Sequence, residues 1–411
     1  MNKYLLKNEN TWKLQLRNTI IFGFLLRLTM LFIILYALGD VWDTYYLEDD
    51  KAFEELAGKY LYNARGLFDV ELLRDFTKGW QSPFWAYVLC ISAKLFSYAA
   101  APRYINIILS TVCIGVTYHL CYEVSENHKT ALTAARLFAY LPFSILVSCF
   151  PIKDIFIMVS VMFAFYLFVR IQKDRKVSIF QLVLCSAALI GVLFTRGGVT
   201  ELLLIFLMIY YFQKLYRKKR HLAALFFLFG AVFVLIAFRS TIFAAFEEKV
   251  DTYGSYGAED ASGLNAIRVT GITDIYKLPL AYAFAMLQPI KLELFTIASD
   301  TRPWRTVMSY TNMTMYPIAI GAWLYAFVKK HNLFFWLSSF VMFCAVIILS
   351  LGVSRHYLFM LPIHLINYSL FAEETNEKFK NRRSLIILGA FALFVVVFCY
   401  SLVKLLYTAG G

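Results

Sequence analysis

The adjacent carboxylates Asp49 and Asp50 stand in the most acidic stretch of a basic chain, Tyr45-Tyr46-Leu47-Glu48-Asp49-Asp50-Lys51-Ala52-Phe53. Two neighbouring acids can take a proton from an alcohol or seat a divalent cation. The same stretch also reads as a solvated loop. Phe53, Leu56, Ala57 and Tyr60 follow at helical spacing, so Asp49 could equally cap a helix. Three further groups carry charge where apolar runs end. Lys153-Asp154 suits an interfacial anchor, a local ion pair or a contact to substrate. Arg196 has Glu201 about a turn further on, which allows a structural salt bridge. Arg355-His356 follows Gly352 and precedes an apolar segment with Pro362, and such a pair also suits an anionic phosphate.

The elements that must position these residues are membrane spans. Of 411 residues, 60% are hydrophobic and 16% charged, with apolar runs of about 17 to 25 residues, the length that crosses a hydrocarbon core. Alternating strand patterns are missing, which argues against a β-barrel. The net charge of +13 sits in short loops between runs, where the positive-inside rule explains it without a nucleic-acid partner. The seven cysteines form no CxxC pair and read as small apolar residues in or beside the runs. Lys3, Lys7, Lys13 and Arg17 precede the first run in the manner of a signal peptide. The run is long and carries Arg27, so the expectation is a retained span.

Loop charge then orders the spans. The first runs from about Thr19 to Leu38, with the basic leader inside. Two segments, Pro83 to Tyr98 and Pro279 to Ile297, are apolar, but the first carries Lys94 and the second Lys291 and Glu293, which are costly at mid-membrane. Leaving both uncrossed gives spans at Tyr104–Tyr122, Ala131–Cys149, a fourth ending near Val169, Ser178–Phe194 and a sixth ending at Lys214. Leu222–Phe238, Met313–Val328 and three more complete the chain. Every basic cluster then falls inside. The expected fold is an all-α polytopic bundle of about eleven transmembrane helices, with two helices lying at the outer interface. It forms one domain over residues 1–411, with a first external loop at 39–103 and a long external region at 239–310. Asp49, Asp50, Lys153, Asp154, Arg196, Arg355 and His356 all face outward. The inner loops hold no GxxxxGK[ST] phosphate loop, so cytoplasmic nucleotide chemistry has no visible site.

With these residues in place, the chain resembles the GT-C superfamily of integral-membrane glycosyltransferases, which use sugars carried on polyprenyl phosphates. In members akin to protein mannosyltransferases and aminoarabinose transferases, the first external loop begins with an acid pair, an aromatic residue and alanine. Asp49-Asp50, Phe53 and Ala57 match that spacing, with Phe53 where Tyr is usual. Ser82-Pro83-Phe84-Trp85-Ala86-Tyr87 resembles the proline-aromatic stretch further along the loop. Arg103 matches an arginine opening the next span, and Leu141-Pro142-Phe143-Ser144 a helix ending in proline-serine. Bacterial polysaccharide-linked members carry a Lys-Asp pair like Lys153-Asp154, and a late arginine-to-proline segment like Arg355 to Pro362.

The resemblance implies transfer of a sugar from a polyprenyl-phosphate donor to a hydroxyl of a glycan, lipid or protein at the outer face of the plasma membrane, with inversion. Asp49 would be the general base. Arg355, His356, Lys153 and Arg196 would bind the donor phosphate. Asp50 or Asp154 would orient the acceptor, and a divalent metal ion at Asp49, Asp50 and Asp154 is an open possibility. A polysaccharide polymerase relying on external Arg and His is the nearest alternative, and a lipid-linked-sugar flippase a more distant one.

Overall fold

Proline, glycine and buried charge set where the helices begin, break and meet. The computed structural model describes residues 2–39, 43–45, 48–78, 82–196 and 358–373, with isolated positions elsewhere. The chain divides into two compact units: Met1–Arg196 with Leu287–His331 and Leu358–Gly411, and Gly197–Met286 with Asn332–Tyr357. The elements below belong to the first. They are α1 (Asn2–Phe32) with a π-helical turn at Ile33–Ala37, α2 (Glu48–Asn63), α3 (Val70–Thr77), α4 (Pro83–Phe96) and α5 (Ala101–Ser125). After these come α6 (His128–Tyr140), α7 (Pro142–Val147), α8 (Asp154–Gln172), α9 (Ile179–Arg196) and α10 (Leu361–Ala372). No strand occurs among the described residues, so the fold is all-α there.

Among the described residues, four segments are long and apolar enough to cross a membrane: Thr11–Ala37, Ala101–Ser125, Asp154–Gln172 and Ile179–Arg196, of 27, 25, 19 and 18 residues. At 1.5 Å per residue they reach about 27 to 40 Å, against a hydrocarbon core of about 30 Å. Their outer faces are apolar. Phe22, Leu25, Leu26 and Phe32 of α1 and Ile179, Phe180 and Val183 of α9 are exposed, as suits helices bathed in lipid. These four match the expected first, second, fourth and fifth spans. The expected sixth to ninth and eleventh spans lie outside the described residues, as does the segment Pro279 to Ile297. Of the tenth, α10 is described.

The expected third span, Ala131 to Cys149, is not one helix. It divides at Leu141 into α6 and α7. Pro142 has no N–H and cannot donate to the Phe138 carbonyl a turn earlier, which ends the helix. Arg27, fully buried in α1, takes up the released groups. Its Nη2 donates to Phe138 O (3.3 Å) and Ser144 Oγ (3.2 Å), and its Nη1 to Ala139 O (3.0 Å) and Gly23 O (2.9 Å). Its Nε donates to Ser110 Oγ of α5 (3.0 Å). The charge that looks expensive in the sequence is the hub that joins α1, α5 and the α6–α7 break.

The contacts also give the directions of the helices. Trp12 near the start of α1 stacks on His128 (6.1 Å), beyond the end of α5, while Tyr36 at the far end meets Tyr98, just before α5 (hydroxyls 3.1 Å apart). α1 and α5 are therefore antiparallel. α8 runs with α5. Asn106, early in α5, donates to Ile152 O before α8 (2.9 Å), and Glu123 in the last turns of α5 pairs with Arg170 in the last turn of α8 (3.4 Å). α9 returns, from the side where Lys173 pairs with Glu126 (2.9 Å) to Arg196 beside Asp154. Gly191 lets α9 approach closely, since a Cβ there would lie 2.8 Å from Phe84 and 2.9 Å from Phe156. Gly191→Val should therefore overpack this contact and cost about 1–3 kcal/mol. The check is a lowered thermal unfolding midpoint in detergent.

Between α1 and α5, the helices α2 and α4 lie side by side in the same direction. Phe53 and Ala57 of α2 pack with Trp85, Leu89 and Ala93 of α4, and Leu56, Tyr60 and Ala64 with Ala86 and Cys90. At their C-terminal ends, Lys94 Nζ donates to Leu61 O (3.0 Å) and Ala64 O (2.7 Å), carbonyls that the end of α2 leaves without helical partners. α4 has 14 residues and spans about 21 Å, too short for the core. α3 is N-capped by Asp69, whose carboxylate accepts from Leu72 N (3.2 Å) and Arg65 N (3.1 Å). The Arg65 and Leu72 N–H groups hold that carboxyl below its ordinary value of 3.8. A depressed folded-state pKa stabilises above the unfolded value, and the effect is lost as pH falls through the folded one. Acidification below about pH 4 should loosen this turn, read as lower amide protection factors at Arg65 and Leu72, that is, exchange compared with the intrinsic rate at each pH.

Candidate functional site

Three consecutive carbonyls, of Phe150, Pro151 and Ile152, fix the turn that carries Lys153 and Asp154. Pro142 and Pro151 keep this stretch from forming one helix with α8, so its carbonyls need side-chain donors. Asn106 Nδ2 donates to Phe150 O (2.6 Å) and Ile152 O (2.9 Å), and Trp85 Nε1 to Pro151 O (3.2 Å). Trp85 and Asn106 are fully buried, so α4 and α5 grip the turn from the core.

Two of the expected cations meet there. Lys153 Nζ donates to Ser82 Oγ (2.6 Å), and Ser82 Oγ donates onward to Thr195 O (3.0 Å) in the last turn of α9. Arg196 Nη1 lies 3.3 Å from Asp154 Oδ1. Lys153, Asp154 and Arg196 therefore come together, joined by Ser82. Arg196 pairs with Asp154 across two helices; the alternative partner Glu201 lies outside the described residues. The starts of α4 and α8 both lie at this cluster. Neither has a side-chain cap: the Ser82 hydroxyl before α4 is spent on Thr195, and Lys153 before α8 has no acceptor to offer. Helix N-termini add positive potential to that of the two cations.

The acids lie at the same end. Because α2 runs alongside α4 in the same direction, Asp49 and Asp50 are at the Ser82 end of the pair. Asp50 is fully buried on the face that carries Phe53, Ala57 and Tyr60, whereas Asp49 is exposed. Solvent reaches the first acid, Asp49, and not the second, Asp50. Arg355 and His356 lie outside the described residues. From the expected external region at 239–310, Trp304 is described. It is buried, with its ring 6.3 Å from that of Phe150.

The structure adds an ion pair the sequence reading does not single out. Arg103, fully buried at the start of α5, has Nε and Nη2 both 2.7 Å from one oxygen of Glu54 in α2. Its Nη1 donates to Thr44 O (2.8 Å), and its guanidinium lies over the rings of Tyr45 (5.2 Å) and Phe150 (6.0 Å). Burial pushes the Glu54 carboxyl above its ordinary range, and the charge and hydrogen bond of Arg103 pull it back. Burial and then the Glu54 charge raise the Tyr45 phenol. Arg103 thereby ties the segment before Asp49 to α2 and to the residue that begins the Lys153 turn. A buried arginine at the mouth of a span calls for a carboxylate, and that was the available signal for Glu54.

The described residues do not suit a metal ion. No three His, Cys, Asp or Glu side chains stand together among them, and Asp154 is engaged by Arg196. Cys90, Cys113, Cys121, Cys149 and Cys185 are buried free thiols, and Cys399 is exposed. Compared with known proteins, the sequence matches no family model and no curated relative, so the chemistry of this site has to be argued from its own residues.

Proposed function

We propose that the chain is a glycosyltransferase of the GT-C type, moving a sugar from a polyprenyl-phosphate donor to a hydroxyl acceptor. Its complete architecture is about eleven spans with the basic loops in the cytoplasm, so that the site faces the outer side of the plasma membrane. One observation carries the reading: an exposed carboxylate, Asp49, shares one end of a lipid-facing bundle with the paired cations Lys153 and Arg196. A phosphate tethered to a lipid tail needs cations near the membrane surface and apolar walls beside them. An acceptor alcohol needs a base that it can reach.

Asp49 removes the proton of the acceptor hydroxyl as its oxygen bonds to the anomeric carbon. The bond from that carbon to the phosphate oxygen breaks on the opposite side, and the electron pair leaves with the phosphate. The configuration inverts. Lys153, Arg196 and, from the resemblance, Arg355 and His356 stabilise the charge that grows on the leaving phosphate, in place of a general acid. Asp50 and Asp154 hold the geometry, Asp154 through Arg196.

The cation half is testable without knowing the sugar, because the leaving group is polyprenyl monophosphate itself. Lys153→Gln and Arg196→Gln should each weaken its binding about tenfold or more, measured by native mass spectrometry from nanodiscs. Unchanged affinity in both variants would remove the donor-phosphate assignment.

A further inference from the structure

At the opposite end of the α2–α4 pair from the acids, large apolar side chains are exposed on a turn that the fold holds rigid. Tyr62, Phe68 and Val70 are 83, 65 and 71% exposed, and Leu95 and Phe96 at the end of α4 are 59 and 57%. The turn is not a loose tip. Tyr60, fully buried, donates its hydroxyl to Leu67 O (3.1 Å) and accepts from Asp69 N (2.9 Å), while Lys94 binds the carbonyls of Leu61 and Ala64. Ordered backbone carrying exposed aromatic side chains indicates a surface made to contact something.

Its level relative to the spans identifies that contact. Tyr98 follows Phe96 by two residues, and its hydroxyl lies 3.1 Å from that of Tyr36, where the first span ends; α5 begins three residues later at Ala101. Paired tyrosines at span ends mark the boundary between hydrocarbon and headgroups. The exposed face of Leu95 and Phe96 is thus continuous with the lipid-facing surface of α1, where Phe32 and Tyr36 are 61 and 56% exposed. Lys94 places the α2–α3 turn at the same level. Charge does not point to an anionic headgroup. Lys59, Arg65, Arg74 and Lys78 stand against Asp69, Glu71 and Asp75, and Lys94 is spent on the carbonyls of Leu61 and Ala64.

We infer that the α2–α3 turn and the end of α4 form an apolar anchor, with Tyr62, Phe68, Val70, Leu95 and Phe96 inserted into the lipid interface. The anchor fixes the far end of α2 to the bilayer surface, while Ser82, Lys153 and Thr195 tie the acid-bearing end to the span ends of α8 and α9. It depends on the chain being a membrane protein and not on glycosyl transfer, so it can fail or stand separately from the proposed activity.

The test uses the full-length chain in phosphatidylcholine nanodiscs with Cys399→Ser, and a nitroxide attached at Phe68→Cys, Leu95→Cys or, as an aqueous control, Asp75→Cys. The same protein without the added cysteine, treated identically, supplies the background. Collision with oxygen should exceed collision with a water-soluble nickel chelate at positions 68 and 95, and the order should reverse at 75. Replacing a third of the lipid with phosphatidylglycerol should leave these ratios unchanged. Nickel-favoured collisions at 68 and 95 would show the turn standing in water and overturn the anchor. Protection from both reagents would show protein, such as a second copy of the chain, covering it instead, and would overturn it equally. An oxygen excess that appears only with phosphatidylglycerol would refute its apolar basis.

Discussion

Asp49→Asn is expected to lower the turnover of a lipid-linked sugar by about a hundredfold to ten-thousandfold, the range that a positioned base contributes. The substitution keeps shape and hydrogen-bonding capacity but removes the proton acceptor. Asp49 is exposed in the first turn of α2, so the cost to folding should stay at or below about 1 kcal/mol. The loss should fall on kcat and leave the KM for donor nearly unchanged, because in the proposed mechanism Lys153 and Arg196 hold the phosphate separately. Asp50→Asn differs in kind. Asp50 is fully buried, so its substitution should lower the unfolding temperature as well as the rate. Turnover measured alongside thermal unfolding separates the two. A wild-type rate in Asp49→Asn would remove the base and favour a polymerase working through Arg355 and His356.

Arg27→Met is expected to have the largest effect on folding, about 2–5 kcal/mol, because buried carbonyls and hydroxyls lose the donors that satisfied them. The five donor contacts of Arg27 reach two hydroxyls and three carbonyls, of which Phe138 O and Ala139 O lie at the break that Pro142 makes; Phe138 O also accepts from Ser144 Oγ. Methionine fills much of the volume and supplies none of the donors. Each carbonyl left dry costs about 1–3 kcal/mol. Lysine should rescue only in part, since an ammonium has three donors and no planar fork. Pro142→Ala offers a sharper control. It restores an N–H for Phe138 O, so in the Arg27→Met background it should recover stability instead of adding damage. The coupling in a double-mutant cycle should be about 0.5–3 kcal/mol. Simple additivity, or a loss below about 1 kcal/mol for Arg27→Met, would contradict the hub.

The spans that were legible in the sequence are those whose stability is local. α5, α8 and α9 are uninterrupted apolar runs, and their observed ends lie within a few residues of the expected ones. α4 was legible through Lys94, a charge that a crossing helix could not easily carry. The break between α6 and α7 was not, although Pro142 marked it. Whether a proline ends a helix depends on what donates to the carbonyls it orphans, and here that is Arg27, more than a hundred residues away. The site divides in the same way. Lys153, Asp154 and Arg196 stood out as charges at the ends of apolar runs. Their partners did not, because Ser82 reaches Lys153 and Glu54 reaches Arg103 only through packing between distant helices. For Arg196, local spacing pointed to Glu201, which lies outside the described residues, and the fold brings Asp154 to the arginine. Arg355 and His356 lie outside the described residues, so their part in the site rests on the resemblance.

The central claim is that this end of the bundle detaches a sugar from polyprenyl phosphate, and release of that carrier tests it most directly. Full-length protein would be reconstituted with polyprenyl-phosphate sugars extracted from bacterial membranes, together with an extract of hydroxyl acceptors. Free polyprenyl monophosphate would then be followed by mass spectrometry. The wild-type chain should release it with time, and Asp49→Asn and Lys153→Gln should release it at least a hundredfold and tenfold more slowly. Release at equal rates by all three proteins, or carrier consumed with its sugar still attached, would contradict the assignment.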